Sequence, residues 1–105
     1  MTGAEVETWL ATRRPERPAP LAAHMTHALD LCDPSELAAA ANLAEAMALL
    51  GVQALKRVVS RQSGSQRLAL DLLAADAFVT YAFEAGADAG LSVEPLVSHL
   101  LREAV

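Results

Sequence analysis

A stripe of mostly small apolar residues, spaced three and four positions apart, runs through the middle of this chain. Its first half comprises Leu37, Ala41, Ala44, Ala48, Gly51, Leu55 and Val58. Its second half comprises Leu68, Leu72, Ala75, Val79, Ala82 and Gly86. Residues three and four apart lie on one face of an α-helix. Because only a short polar break at 62–65 separates the halves, the pattern predicts two long helices folded back as an antiparallel hairpin.

The register of this hairpin follows from folding the chain about Gly64. The predicted partners are Val58 with Leu68, Leu55 with Leu72, Gly51 with Ala75, Ala48 with Val79, Ala44 with Ala82, and Ala41 with Gly86. Large side chains then meet near the turn and small ones meet at the open end. We therefore expect the two backbones to approach most closely at the open end.

Three local signals mark where other helices begin. Thr2 and Glu5 have the spacing of a capping box. Asp33 and Pro34 combine an N-cap residue with proline at the first helical position. Ser92 follows two glycines and is suited to cap a final helix. These signals divide the chain into about five helices.

No segment alternates apolar and polar residues as a strand does, so the predicted fold is all-α, in one domain over 1–105. The predicted order is a short N-terminal helix over 1–14, a proline-rich linker over 15–20, a helix over about 20–31, hairpin arms over about 34–61 and 66–85, and a last helix after Ser92. Residues 20–105 form the helical core of this prediction.

Composition excludes several classes of function. Hydrophobic residues make up 53% of the chain and the net charge is −5, which disfavours nucleic acid as a partner. No stretch approaches the roughly 18 apolar residues of a membrane-spanning helix. The N-terminus has no signal-peptide pattern, and the single Cys32 excludes an internal disulfide. A cytoplasmic protein that binds neither nucleic acid nor membrane is the expectation.

A polar line on the second hairpin arm is the candidate ligand site. Asp76, Thr80 and Glu84 follow each other at steps of four along an otherwise apolar helix. A carboxylate buried there would need a partner or a raised pKa, as functional carboxylates often have. The alternative is a carboxylate at the rim of the helix, or one paired with an arginine from elsewhere, and this simpler interpretation is favoured.

Other polar residues carry weaker hypotheses. His24 and His27 are of a type that binds zinc or iron, but with Asp30 they spread over too wide an arc for one ion, so no metal is predicted. Cys32 is expected to be buried as a small apolar residue. Asp71 is predicted to form an ordinary ion pair with Lys56 or Arg57 of the facing helix.

Excess apolar surface predicts self-association. The second hairpin arm is apolar around its whole circumference, as buried helices and helices in oligomers are. Candidate interface residues are Phe78, Tyr81, Leu70, Leu96 and Leu100. We expect a homodimer, with another protein as a further possible partner.

Nothing in the chain has the specificity of a catalytic motif, and no cofactor is predicted. The favoured function is therefore a non-enzymatic helical module for self-association or protein interaction. The alternative is a small helical enzyme, or a ligand- or metal-binding protein with a pocket near Asp76.

Overall fold

The described part of the chain is entirely helical in its regular structure, as predicted. A computed structural model describes residues 1–60 and 65–104, so the turn predicted at Gly64 lies outside the described residues. The helices are α1 Gly3–Leu10, α2 Ala19–Leu31, α3 Pro34–Ala38, α4 Leu43–Ser60, α5 Ser65–Asp88 and α6 Val93–Ala104.

The hairpin of α4 and α5 is the centre of the fold. These two helices share the most extensive contact of any pair in the described residues. The shorter helices pack around them: α2 lies on α5, α6 crosses both hairpin arms, and α1 lies against α2 and α4. The prediction of an all-α bundle built on a helical hairpin is confirmed.

The predicted continuous helix over 34–61 is wrong, because the chain leaves the helix at 39–42 and divides it into α3 and α4. Asn42 is the cause. Its side-chain oxygen accepts a hydrogen bond from the backbone N–H of Glu45 at 2.9 Å, and its carbonyl accepts from Ala46 N–H at 3.0 Å. The Glu45 carboxylate in turn accepts from Ala41 N–H at 2.9 Å. Asn42 thus caps a new helix.

Other helix starts agree with their sequence signals, although some ends differ. The Thr2 hydroxyl and the Glu5 side chain form the predicted capping box. The Asp33 carboxylate accepts from Ser35 N–H at 2.9 Å, which also lowers the pKa of Asp33. The first helix ends at Leu10 rather than near residue 14, and α5 continues to Asp88 rather than ending near 85.

The hairpin register differs from the prediction by one helical turn. A Cβ atom built on Gly51 would lie 2.8 Å from Val79 Cγ2, whereas the predicted partner was Ala75. A Cβ atom built on Gly86 would lie 3.8 Å from Ala44 Cβ, whereas the predicted partner of Ala44 was Ala82. Of these two glycines, Gly51 in mid-helix has the closer neighbours, not Gly86 at the open end.

The buried face of α5 is also rotated slightly from the predicted stripe. Leu55 and Leu72, placed opposite each other in the predicted stripe, are exposed, as is Ala41 at the other end. Ala75, Ala82 and Gly86 of the predicted stripe are buried on α5, and they are joined by Asp71, Ala74, Phe78 and Ala85. These positions also recur at three- and four-residue spacing. The periodicity therefore predicts a helix with one buried face correctly, but it places part of that face wrongly.

Few large side chains fill the core. Nine of the twenty buried apolar residues in the described ranges are alanines. The largest fully buried side chains are Phe78, Met25, Met47, Leu50 and Val6. Because an alanine buries little area, these larger side chains provide most of the apolar burial in the hairpin and in the helices packed on it.

Candidate functional site

A histidine–carboxylate pair joins α2 to α5 and is the most unusual polar contact in the described structure. His24 Nε2 lies 2.5 Å from Asp71 Oδ1. The side chains are 15% and 5% exposed, so the carboxylate is buried and the imidazole has only its edge in solvent. An ionised carboxylate only accepts hydrogen bonds, so the Nε2–H tautomer of His24 is the form that can donate to it.

This arrangement can orient an imidazole, and it can also hold two helices together. A carboxylate fixes the ring and its tautomer, as in many catalytic and metal sites. The same geometry satisfies a buried carboxylate that would otherwise be costly to remove from water. His24 and Asp71 belong to different helices, so the pair fixes α2 on the hairpin whatever else it does.

Sequence reasoning missed this pair. It placed Asp71 opposite α4, near Lys56 and Arg57, and did not consider α2 as the source of a partner. A signal was present, because Asp71 lies three, four and seven residues before Ala74, Ala75 and Phe78, on the face that is buried. A carboxylate on that face predicts a buried partner.

His27 and Asp30, the residues considered with His24 as metal ligands, lie in solvent. His27 is exposed, with its ring centroid 6.4 Å from that of His24, and Asp30 is exposed as well. Among residues 1–60 and 65–104, no group of three histidine, cysteine or acidic side chains is arranged to hold a metal ion. The His24 ring nitrogen Nε2 is engaged with Asp71 instead.

The polar line on α5 faces solvent. Asp76, Thr80 and Glu84 are all exposed. The ligand-site hypothesis required a buried carboxylate, whereas Asp76 lies exposed at the rim of its helix. Its helix buries the opposite face, where Phe78 and Ala82 lie.

Cys32 is buried at the end of α2, as expected. Burial raises the pKa of its thiol, and the nearby carboxylates of Glu36 and Asp33 raise this pKa further. The side chains of Gln53 and Arg57 act in the opposite direction without reversing the shift. A thiol with a raised pKa is a poor nucleophile near neutral pH.

The predicted interface residues are mostly covered by other helices of the same chain. Phe78 is fully buried and offers no surface to a partner, and Leu96 of α6 is buried on the side of that helix that faces Gly86 of α5. Tyr81 packs edge-on against Trp9 of α1, with ring centroids 6.0 Å apart. Leu70 and Leu100 are half-buried. Much of the apolar circumference of α5 is covered because α1, α2, α4 and α6 pack around it, whereas Leu72 and Leu73 remain exposed.

Large apolar side chains are exposed on several helices, and on α6 they follow a regular spacing. Val93, Val97 and Leu101 are 58%, 39% and 63% exposed and follow each other at steps of four. We call these three residues the α6 surface. The neighbouring Leu96 and Leu100 turn inward. The apolar face of α6 is therefore wider than the part of it that packs against α4 and α5.

Among the described helices, none is long and apolar enough to cross a membrane. Comparison of the chain with family models, with curated proteins and with solved structures finds no match.

Proposed function

We propose that this chain is a non-enzymatic helical module that forms a homodimer through the α6 surface. The observation that carries the proposal is the exposed line of Val93, Val97 and Leu101. Large apolar side chains that remain exposed in a row on one helix are typical of a protein interface. This surface replaces the interface predicted around Phe78.

The line is suited to pairing with itself. Val93 and Leu101 lie four residues before and after Val97. If two α6 helices cross antiparallel with Val97 at the two-fold axis, Val93 of each copy meets Leu101 of the other. An isologous contact of this kind needs a surface that is complementary to itself, and an apolar line with a central residue satisfies that condition.

Charge supports the same orientation. Glu94 lies in the first turn of α6 and Arg102 in the last. In the antiparallel arrangement, Glu94 of one copy lies within a turn of Arg102 of the other, at the rim of the contact. The helix dipoles also oppose each other. The net charge of −5 disfavours association of two copies through a charged surface, so an apolar contact is favoured.

The area required is moderate. A stable interface buries about 800 Å² on each partner, which is roughly one-eighth of the 6065 Å² accessible surface of the described chain. Because α6 alone is about 18 Å long, neighbouring exposed residues must contribute. Leu91 immediately precedes α6 and is exposed as well.

The experiment is sedimentation equilibrium of the wild type and two variants between micromolar and millimolar protein. We expect a concentration-dependent dimer for the wild type and a monomer for Val97→Glu, because the substitution places two carboxylates at the two-fold axis. Leu31→Glu is the matched control, since Leu31 is also an exposed apolar residue but lies on α2. It should dimerise like the wild type.

Circular dichroism of all three proteins checks that helicity is retained. A wild type that stays monomeric at millimolar concentration contradicts the proposal. So does a Val97→Glu variant that dimerises as well as Leu31→Glu.

A further inference from the structure

A groove on the opposite side of α6 has the size and lining of a small-molecule site. It lies between α3, α4 and α6 and encloses about 480 Å³, within the range of roughly 300–1,000 Å³ in which ligand pockets fall. The break at 39–42 shapes it, because Ala39 and Ala40 form part of its wall. A continuous helix over 34–61 would leave no separate α3 to close that side.

The floor of the groove is apolar. Leu49 and Val52 of α4 line it, and Val52 is buried while Leu49 is half-buried. An occupant therefore needs an apolar body to displace water from these side chains.

The walls of the groove are acidic. Glu36, Glu45 and Glu103 contribute three carboxylates, against the ammonium group of Lys56 and the imidazole of His99. Glu36 accepts a hydrogen bond from Gln53 Nε2 at 2.7 Å, and Glu45 accepts from Ala41 N–H at 2.9 Å. Both bonds come from neutral donors, so they hold these two carboxylates in place without neutralising them. Glu103, on α6, is half-buried at the edge of the groove.

We infer that this groove binds a small organic cation with an apolar body, an ammonium or guanidinium group on a short hydrocarbon chain. The hydrocarbon lies on Leu49 and Val52, and the cation is attracted by the acidic lining of the groove. Charge complementarity determines the class of ligand, because the same carboxylates would repel an anion. This binding is independent of dimerisation, since Val93, Val97 and Leu101 do not line the groove.

The test is a titration of the ¹⁵N-labelled protein with hexylammonium at pH 7.5, followed by amide chemical shifts. We expect saturable shifts at the backbone amides of Leu49 and Val52 and at the Gln53 side chain. For a ligand of this size, the dissociation constant should be on the order of millimolar. Hexan-1-ol, which has the same hydrocarbon without the charge, should bind more weakly, and hexanoate should not bind.

A matched pair of variants locates the cation. Glu103→Gln should weaken hexylammonium binding by roughly two- to fivefold, the effect of one partly exposed charge pair. Glu84→Gln removes the same charge from an exposed position on α5, outside both the groove and the α6 surface, and should leave binding unchanged. The inference is overturned if no saturable shift occurs, if hexan-1-ol binds equally well, or if the two variants behave alike.

Discussion

Gly51 is the position where the backbones of α4 and α5 come close. A Cβ atom there would lie 2.8 Å from Val79 Cγ2 and 3.3 Å from the backbone nitrogen of Val79. Side-chain movement can relieve the first contact, but only a shift of the helix can relieve the second. The glycine therefore serves packing, although glycine inside a helix is intrinsically unfavourable.

We expect Gly51→Ala to lower the free energy of unfolding by about 1–2 kcal/mol, since overpacking outweighs the gain in helix propensity. Gly86→Ala is the matched control, because its Cβ would meet Ala44 Cβ at an ordinary 3.8 Å. That variant should be neutral or slightly stabilised. Urea denaturation measures both. Equal stabilities for the two variants would show that the close approach at Gly51 has no energetic consequence.

The contact between His24 and Asp71 gives a second prediction for individual side chains. His24→Leu removes a hydrogen-bonding partner of the buried Asp71 carboxylate and should cost about 2 kcal/mol of unfolding free energy. In the double variant His24→Leu/Asp71→Leu, the combined cost should be smaller than the sum of the single costs, because the carboxylate is removed too.

His27→Leu is the control for this cycle. It makes the same change on the same helix at an exposed position and should alter stability by no more than about 0.5 kcal/mol. Strictly additive costs of His24→Leu and Asp71→Leu in chemical denaturation would mean that the two side chains do not stabilise each other.

Among the helices, the separation of α3 from α4 depends on a few hydrogen bonds. The sequence from Leu37 to Val58 carries a helical period without interruption by proline or glycine until Gly51. Helix propensity alone therefore favours one long helix. The Asn42 side chain offers the backbone an alternative partner, which starts a new helix at Leu43.

Asn42→Ala tests this explanation. Loss of the N-cap should lower the free energy of unfolding by about 1 kcal/mol, and hydrogen exchange at the Glu45 amide should become faster. Asn42→Asp keeps the acceptor oxygen and should preserve both properties. If Asn42→Ala is as stable as the wild type and more helical, then 39–42 joins the helix and the cap is not what separates α3 from α4.

For the whole molecule, coverage of the hairpin decides which surfaces are available. The chain supplies enough helices to bury Phe78 and to pack Trp9 on Tyr81, so these two side chains of α5 need no second copy as a cover. Leu72 and Leu73 of α5 remain exposed, and the α6 surface is exposed as a regular line. The dimer proposed through the α6 surface and the cation proposed for the groove thus use different sides of the same helix.

The sequence by itself determined the helical class, the hairpin and the helix starts at Thr2 and Asp33, because periodicity and capping depend on neighbours within a few residues. Tertiary structure decided the register of α4 on α5, the contact of Asp71 with His24 and the burial of Phe78. Each of these depends on which distant helix occupies a given face, and the spacing of apolar residues along one helix does not contain that information. The interruption at Asn42 combines both kinds of information. Its capping signal is local, but the apolar periodicity that continues through it favours one unbroken helix.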